Sequence, residues 1–319
     1  MKLMRTEDAV GQVLCHDIIQ IIKGVTKDAV FRKGHVITEE DIPVLLSVGK
    51  DSIYIWEKDD TMLHENEAAE ILYAMCKNKH MHPSDVKEGK IEVIADCDGL
   101  LKVDSDKLKK VNAFGQMMIA SRHGNTPVKK GDKLAGTRII PLVIEKEKMY
   151  KAAAICADGP ILELKEFHKK KVGIITTGNE VYHKRIEDTF TPVIKEKLAE
   201  YDTEVIYHEI FDDNHEKITR GCLTAIEKGA DLVICTGGMS VDPDDNTPGG
   251  IKASGARIVT YGPPVLPGAM FLLGYYDDGT PVMGLPGCVM YAGATIFDLV
   301  LPWVAADVSV TKEWIVSLG

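Results

Sequence analysis

The chain has no surplus of basic residues: 38 Lys and Arg stand against 48 Asp and Glu, a formal net charge of −10. That balance cannot neutralise a run of phosphates, which excludes nucleic acid and anionic membrane surfaces as broad partners. The basic run Lys169-Lys170-Lys171 precedes an apolar strand and reads as a solvated linker. Paired cysteines are lacking too. The seven, at 15, 76, 97, 156, 222, 235 and 288, are scattered, odd in number and never spaced C-x-x-C. Such a set fits reduced thiols in a cytosol and not a disulfide framework. No stretch reaches the roughly 18 uninterrupted apolar residues of a membrane span. The opening Lys2-Leu3-Met4-Arg5-Thr6 has no apolar core of a signal peptide. A cytoplasmic location is expected. Internal repeats and low-complexity tracts are absent as well.

What is present is a globular composition, 45% hydrophobic and 27% charged. A length of 319 residues is enough for roughly two or three domains. Residues 1–60 mix short apolar runs with turns and predict a small β-rich module with one helix. Thr38 is expected as that helix's N-cap, with Asp41 at N3. Residues 61–168 open with a helix over 65–81, where Ala68, Ile71, Leu72 and Met75 recur at three- and four-residue spacing. Many short strands punctuated by Gly and Asp follow, predicting a barrel or sandwich. From 169 to 319 strands and helices alternate. Strands are expected at 172–176, 204–211, 231–235, 257–261, 270–273 and 281–285, and helices at 192–201, 215–228, 244–254 and 288–304. Alternation at this spacing predicts an α/β domain, a doubly wound, mostly parallel sheet with helices on both faces. Ligands of such sheets bind at the carboxyl ends of the strands.

Polar loops fall at those ends. They are Thr176-Thr177-Gly178-Asn179-Glu180, Asp212-Asp213-Asn214, the run Thr236-Gly237-Gly238-Met239-Ser240 through Pro248, and Gly284-Leu285-Pro286-Gly287-Cys288, with Pro267-Gly268-Ala269 before the preceding element. Glycines let backbone N–H groups approach an anion, and Thr and Ser hydroxyls add neutral donors. A helix N-terminus after the third loop would add its dipole. Asp242, Asp244 and Asp245 crowd three carboxylates beside that anion site. Carboxylates repel a phosphate, so their presence makes most sense with a bridging Mg²⁺. Glu180, Asp212 and Asp213 share the rim as further ligands or proton acceptors. Each part also has a plainer reading: the T-G-G as a tight turn, Asp244 as an N-cap, Asp212-Asp213-Asn214 as the cap of the helix at 215. Four such loops on one sheet are more than turn chemistry requires.

The segments Thr177-Gly178-Asn179-Glu180, Thr236-Gly237-Gly238-Met239-Ser240-Val241 with Asp245, Pro267-Gly268 and Leu285-Pro286-Gly287 resemble, in order and spacing, the molybdopterin-binding domain. Molybdopterin adenylyltransferases, molybdopterin molybdotransferases and competence-damage-inducible proteins share that domain. The resemblance implies a pocket for a pterin phosphate and Mg²⁺-assisted chemistry on molybdopterin, with ATP or adenylated molybdopterin and molybdate as co-substrates. By the same resemblance Glu180, Asp213 and Asp245 would be catalytic, and Asp212, Asp242 and Asp245 would hold the metal. Thr177, Gly178, Asn179, Thr236, Gly237, Gly238, Met239, Ser240, Pro267, Gly268, Pro286 and Gly287 would line the cofactor. Metal insertion or adenylyl transfer is the leading expectation. The alternatives are a non-catalytic carrier or sensor serving a molybdoenzyme or a biosynthetic partner, and a hydrolase of a nucleotide-linked metabolite. A homo-oligomer is expected from the same family.

The chain departs from molybdotransferases at Asn179, where they carry Asp, at Asp242-Pro243, where they carry Gly, and at Ala269-Met270, where they carry Lys-Pro. Residues 1–168 lie outside the resemblance. Elsewhere, Cys76, His80 and His82 read as a solvated helix end more readily than as metal ligands. Cys288 is expected at a helix N-terminus, which would lower its thiol pKa. His35, His123 and His168 show no companion residues in sequence.

Overall fold

A computed structural model describes every residue except Met1, Gly24, 56–58, Val241, Pro243 and Asp244, and the side chains of Thr26 and Lys27. The chain gathers into two units: residues 1–96, 103–124 and 130–163 form one, and 97–102, 125–129 and 164–319 the other.

In the first unit Lys2–Arg5 pairs antiparallel with Ser52–Ile55, and Ile18–Ile22 forms a hairpin with Thr26–Phe31. Leu14, Ile18, Ile37, Leu45, Ile53 and Ile55 pack into a core beneath them. The short helix starts at Asp41, later than Thr38 capping would require. Asp41 is the acceptor in place of Thr38: its carboxylate takes the Thr38 N–H at 2.8 Å and the His35 Nε2 at 2.7 Å, closing the turn before the helix. Helix Glu65–Cys76 begins with a capping box. His64 Nδ1 accepts from the Asn66 N–H, and the Glu67 carboxylate accepts from the His64 N–H. That helix lies on an antiparallel sheet ordered Met81–Pro83, Ile91–Ala95, Lys133–Ile139, Met117–Ser121. Of the strand-rich stretch expected as a barrel or sandwich, Ile91–Ala95, Met117–Ser121 and Lys133–Ile139 join this sheet, while Gly99–Val103 and Thr126–Val128 belong to a three-stranded sheet with Leu162–Glu166, and Val143–Glu145 pairs with Met62–His64. Helices Ser105–Asn112 and Lys146–Ala154 were not expected. Both are short and lysine-rich, with too few apolar positions to show a period.

The second unit carries a six-stranded sheet: β1 (Lys170–Thr177), β2 (Thr203–Phe211), β3 (Leu232–Thr236), β4 (Arg257–Tyr261), β5 (Leu272–Tyr275) and β6 (Pro281–Leu285), in the order β2-β1-β3-β6-β5-β4. Strands β2, β1, β3 and β6 pair parallel, and β5 runs antiparallel to both neighbours. The sheet is thus mostly parallel, as expected, and the parallel pairing ends at β5. The reason is local: Asp277-Asp278-Gly279 closes a tight turn, with the Tyr276 N–H on Thr280 O at 2.9 Å, too short for a parallel crossover.

Helices are α1 (Asn179–Tyr182), α2 (Phe190–Ala199), α3 (His215–Glu227), α4 (Thr247–Ala253), α5 (Ile296–Ala305) and α6 (Lys312–Val316). Alternate side chains of each strand divide between the two faces. Val172, Ile174, Leu232 and Ile234 pack with Ile194, Leu198, Phe297 and Val300. Ile175, Val233 and Cys235 pack with Cys222, Ala225 and Ile251. The helix expected over 288–304 is two pieces, a 3₁₀ turn at Gly287–Met290 and then α5. Thr295 and Asp298 form a capping box that starts α5 afresh. The chain leaves β1 for β2 on one side and reaches β3 on the other. Such a reversal of strand order is where sheets of this kind bind ligands, at the carboxyl ends of the strands.

Candidate functional site

Hydrogen bonds lace the loops after β1, β2 and β3 together. The Gly178 N–H reaches Phe211 O at 3.2 Å. The Asn179 N–H donates to Asp213 Oδ2 at 3.0 Å, and Asn246 Nδ2 to Asp213 O at 2.9 Å. Thr177 Oγ1 donates to Thr236 O at 3.1 Å and lies 3.0 Å from Thr247 Oγ1. The Thr247 N–H closes on Gly238 O at 3.2 Å. Gly237, at φ 80°, makes this possible, because a Cβ there would stand 2.1 Å from Thr177 O. The T-G-G is therefore more than a turn: it lets the end of β3 pass directly against the end of β1.

The carboxylates divide by task. Asp212 Oδ2 holds Lys217 Nζ at 2.7 Å, which raises the lysine's pKa. Asp212 Oδ1 is buried and has no partner among the described residues. Asp213 tethers the first loop, and Asn214 caps α3 by accepting the Lys217 N–H at 3.0 Å. Capping thus belongs to Asn214 and not to the two aspartates. Asp242 and Asp245 close one turn, with the Asp245 N–H on Asp242 O at 3.0 Å. Asp244 lies outside the described residues, and α4 begins only at Thr247. Glu180 is exposed beside Gly178. Thr236 Oγ1 is buried and, like Asp212 Oδ1, lacks a partner among the described residues.

The other expected lining residues divide between buried and exposed positions. Met239 is 4% exposed and its Cε would meet a Cβ on Gly284 at 2.5 Å, so its side chain belongs to the core. Ser240 is exposed. Gly268 is buried against Ile296, Pro267 is exposed, Pro286 is buried and Gly287 is exposed. Among the described residues, no three His, Cys, Asp or Glu side chains gather as a metal cage.

Outside these loops, Cys76 is buried and its thiol is pushed up to about 12 by burial and then by Cys156. His82 pairs with Asp96 at 2.6 Å. The Cys288 thiol is raised by burial, and not lowered as expected, because a 3₁₀ turn stands where an α-helix N-terminus was expected. His35 does have a companion, Asp41. His168 lies 3.9 Å from Asp307.

Sequence reasoning missed a polar cluster at the end of β1. Thr176 Oγ1 lies 3.1 Å from both Thr191 Oγ1 and His208 Nε2. Asp188 accepts the Phe190 and Thr191 N–H groups at 3.0 Å each. Burial lowers the His208 pKa. At Asp188 burial pushes upward, but the hydrogen bonds and His208 outweigh it and the carboxyl titrates below its ordinary range. The usable signal was Asp188-Thr189-Phe190-Thr191, an acidic residue just ahead of a helix start.

Comparison with known proteins decides the family of this unit. Residues 173–306 match a family described as a probable molybdopterin binding domain. Residues 3–57 match a domain of unknown function. The chain is 29% identical over 196 residues to a molybdopterin molybdenumtransferase of Haemophilus influenzae, an alignment covering 59% of this chain and 45% of that protein. It is 34% identical over 88 residues to a putative competence-damage inducible protein of Bacillus cereus, covering 28% and 21%. The chain therefore spans less than half the length of these relatives. Among solved structures it is similar to the molybdopterin biosynthesis enzyme MoaB from Thermus thermophilus, 24% identical, covering 46% of this chain and 97% of that one, with a TM-score of 0.37. The laced threonines Thr177, Thr236 and Thr247 all lie inside the molybdopterin-binding-family domain. Among the described residues no helix is long and apolar enough to cross a membrane.

Proposed function

We propose that the domain binds molybdopterin at the loops on the carboxyl ends of β1 and β3 and acts in molybdenum-cofactor biosynthesis. The reaction in this reading is Mg²⁺-dependent metal insertion or adenylyl transfer, carried out by a self-associating protein. One observation supports it: the Thr177–Thr236–Thr247 lacing, with Gly237 and Gly238 packed against Thr177 and Thr247, fixes the backbone at the carboxyl ends of β1 and β3. Backbone dipoles fixed in this way suit an anionic phosphate.

The residues also fit Mg²⁺, which is held by one or two carboxylates plus substrate phosphates and needs no all-protein cage. Asp245 and Asp242 share one turn beside the T-G-G, and Asp212 Oδ1 is a buried oxygen with an open valence. When bound, the ion would neutralise charge on phosphate oxygens. The chain's own residues orient the ligand: Gly237 and Gly238 by their backbone, Asp213 by fixing the first loop through Asn179.

Incubation with molybdopterin, ATP, Mg²⁺ and molybdate should yield adenylated or metallated product. Asp245→Asn should weaken Mg²⁺-dependent binding or turnover by about tenfold, as losing one charge-assisted contact would. An unchanged variant removes Asp245 from the reading. A carrier function has its own support in exposed Ala269, which puts no cation beside Gly268. Tight binding without product would select it, and pyrophosphate cleavage without molybdopterin would select the hydrolase.

A further inference from the structure

We propose that the face of the four-stranded sheet opposite helix Glu65–Cys76 is a second ligand site, one that takes a small organic phosphate with a flat or aliphatic body. A cavity of about 440 Å³ lies on it, within the size range of small-molecule sites. The sheet's alternation creates the space. Ile91, Val93, Ile119 and Ile139 are buried, while the opposite direction is taken by the cross-strand row Glu92–Gly136–Ala120. Arg138 and its partner Met118 follow two residues along, on the same face. The floor is thus glycine, alanine and an adaptable methionine. A Cβ on Gly136 would meet only Lys90 Cε, at 3.6 Å, so the space above the floor is open.

The walls are cationic. Lys90, Lys133, Arg122 and Arg138 all line the cavity. Glu92 takes Lys90 at 2.6 Å and Lys133 at 2.7 Å, and Asp132 takes Arg122 at 2.9 Å. Four cations less Glu92, Asp132 and Glu65, which feels the Arg138 charge, leave one positive charge in a chain whose net charge is −10. Arg138 forms no ion pair with a described carboxylate; its Nε donates to Ile139 O at 3.2 Å. A planar guanidinium beside lysines over a small-residue floor matches a phosphate group carried on a compact body. A long polyanion suits it poorly, because beyond the groove the chain's own negative charge would repel it. The inference stands apart from the molybdopterin reading and survives its failure.

The test uses the full ¹⁵N-labelled chain titrated with phenyl phosphate, AMP and inorganic phosphate. The amides of Ala120, Gly136 and Arg138 should shift with at least one of the two organic phosphates. That ligand should bind about tenfold tighter than inorganic phosphate and lose its effect when the phosphate is removed, as phenol or adenosine. Gly136→Val fills the floor with a strand-favouring residue at a position of ordinary φ and should abolish these shifts. Arg138→Gln keeps the shape, serves as a control if the valine variant misfolds, and should weaken binding about tenfold. Three results would overturn the proposal: no shift of those amides at millimolar organic phosphate, affinity unchanged in Arg138→Gln, or tighter binding of a single-stranded oligonucleotide to this face.

Discussion

His208 has given up part of its basicity to burial, and so have His16 and His64. Each has a folded pKa below the ordinary 6.5, so the unfolded chain takes up the proton first as the solution is acidified. The stability tied to these groups is complete above pH 6.5 and is lost as the pH falls from there towards their folded values. Thermal melts from about pH 7.5 down to about pH 5.5 should show a falling Tm, less steep in His208→Gln. A flat profile would mean that the three rings are not neutral in the fold. Asp188 adds loss of the same sign only at lower pH, since its depressed carboxyl stabilises above the ordinary 3.8. None of this was visible in sequence. A histidine's burial depends on which strands flank it, and His208 meets Thr176 only because β2 pairs with β1.

Among elements, the end of β3 bears the tightest constraint. Gly237→Ala would push a methyl carbon into Thr177 O from a positive-φ backbone, a cost of about 2 kcal/mol or more. Urea unfolding should report it, and a change under about 0.5 kcal/mol would show that the loop can move aside. The sequence exposed this element through its company, because a lone T-G-G reads as a tight turn and only the polar loops on the neighbouring strands set it apart. It exposed β5 poorly. An apolar strand reads the same in either direction, and only the Asp277-Asp278-Gly279 turn told the two apart. Helices Ser105–Asn112 and Lys146–Ala154 escaped because short, charged helices owe their stability to caps and contacts more than to periodicity. Met239, expected at the ligand, packs its side chain in the interior, since a motif fixes neighbours in sequence but not which way a side chain turns.

For the molecule as a whole, the −10 charge bears on the class of partner and says nothing of the binding site. The α/β character of residues 169–319 was legible because β1, β3 and β6 are buried on both faces and read as unbroken apolar runs. A ligand that binds only the folded domain must stabilise it: molybdopterin at one hundred times its Kd should add about 2.7 kcal/mol. Calorimetry with and without the pterin checks this, and an unmoved transition would count against the molybdopterin reading.

The reversal of strand order at β1 has an evolutionary side. It is produced by the order in which the chain lays down its strands, β2-β1-β3-β6, and by no single side chain. Under the proposed reading, substitutions at Glu180, Asp242 or Asp245 would change what the site holds and leave the scaffold in place. A lineage carrying this scaffold can therefore exchange one ligand for another, or lose turnover and keep binding, by drift at the rim alone.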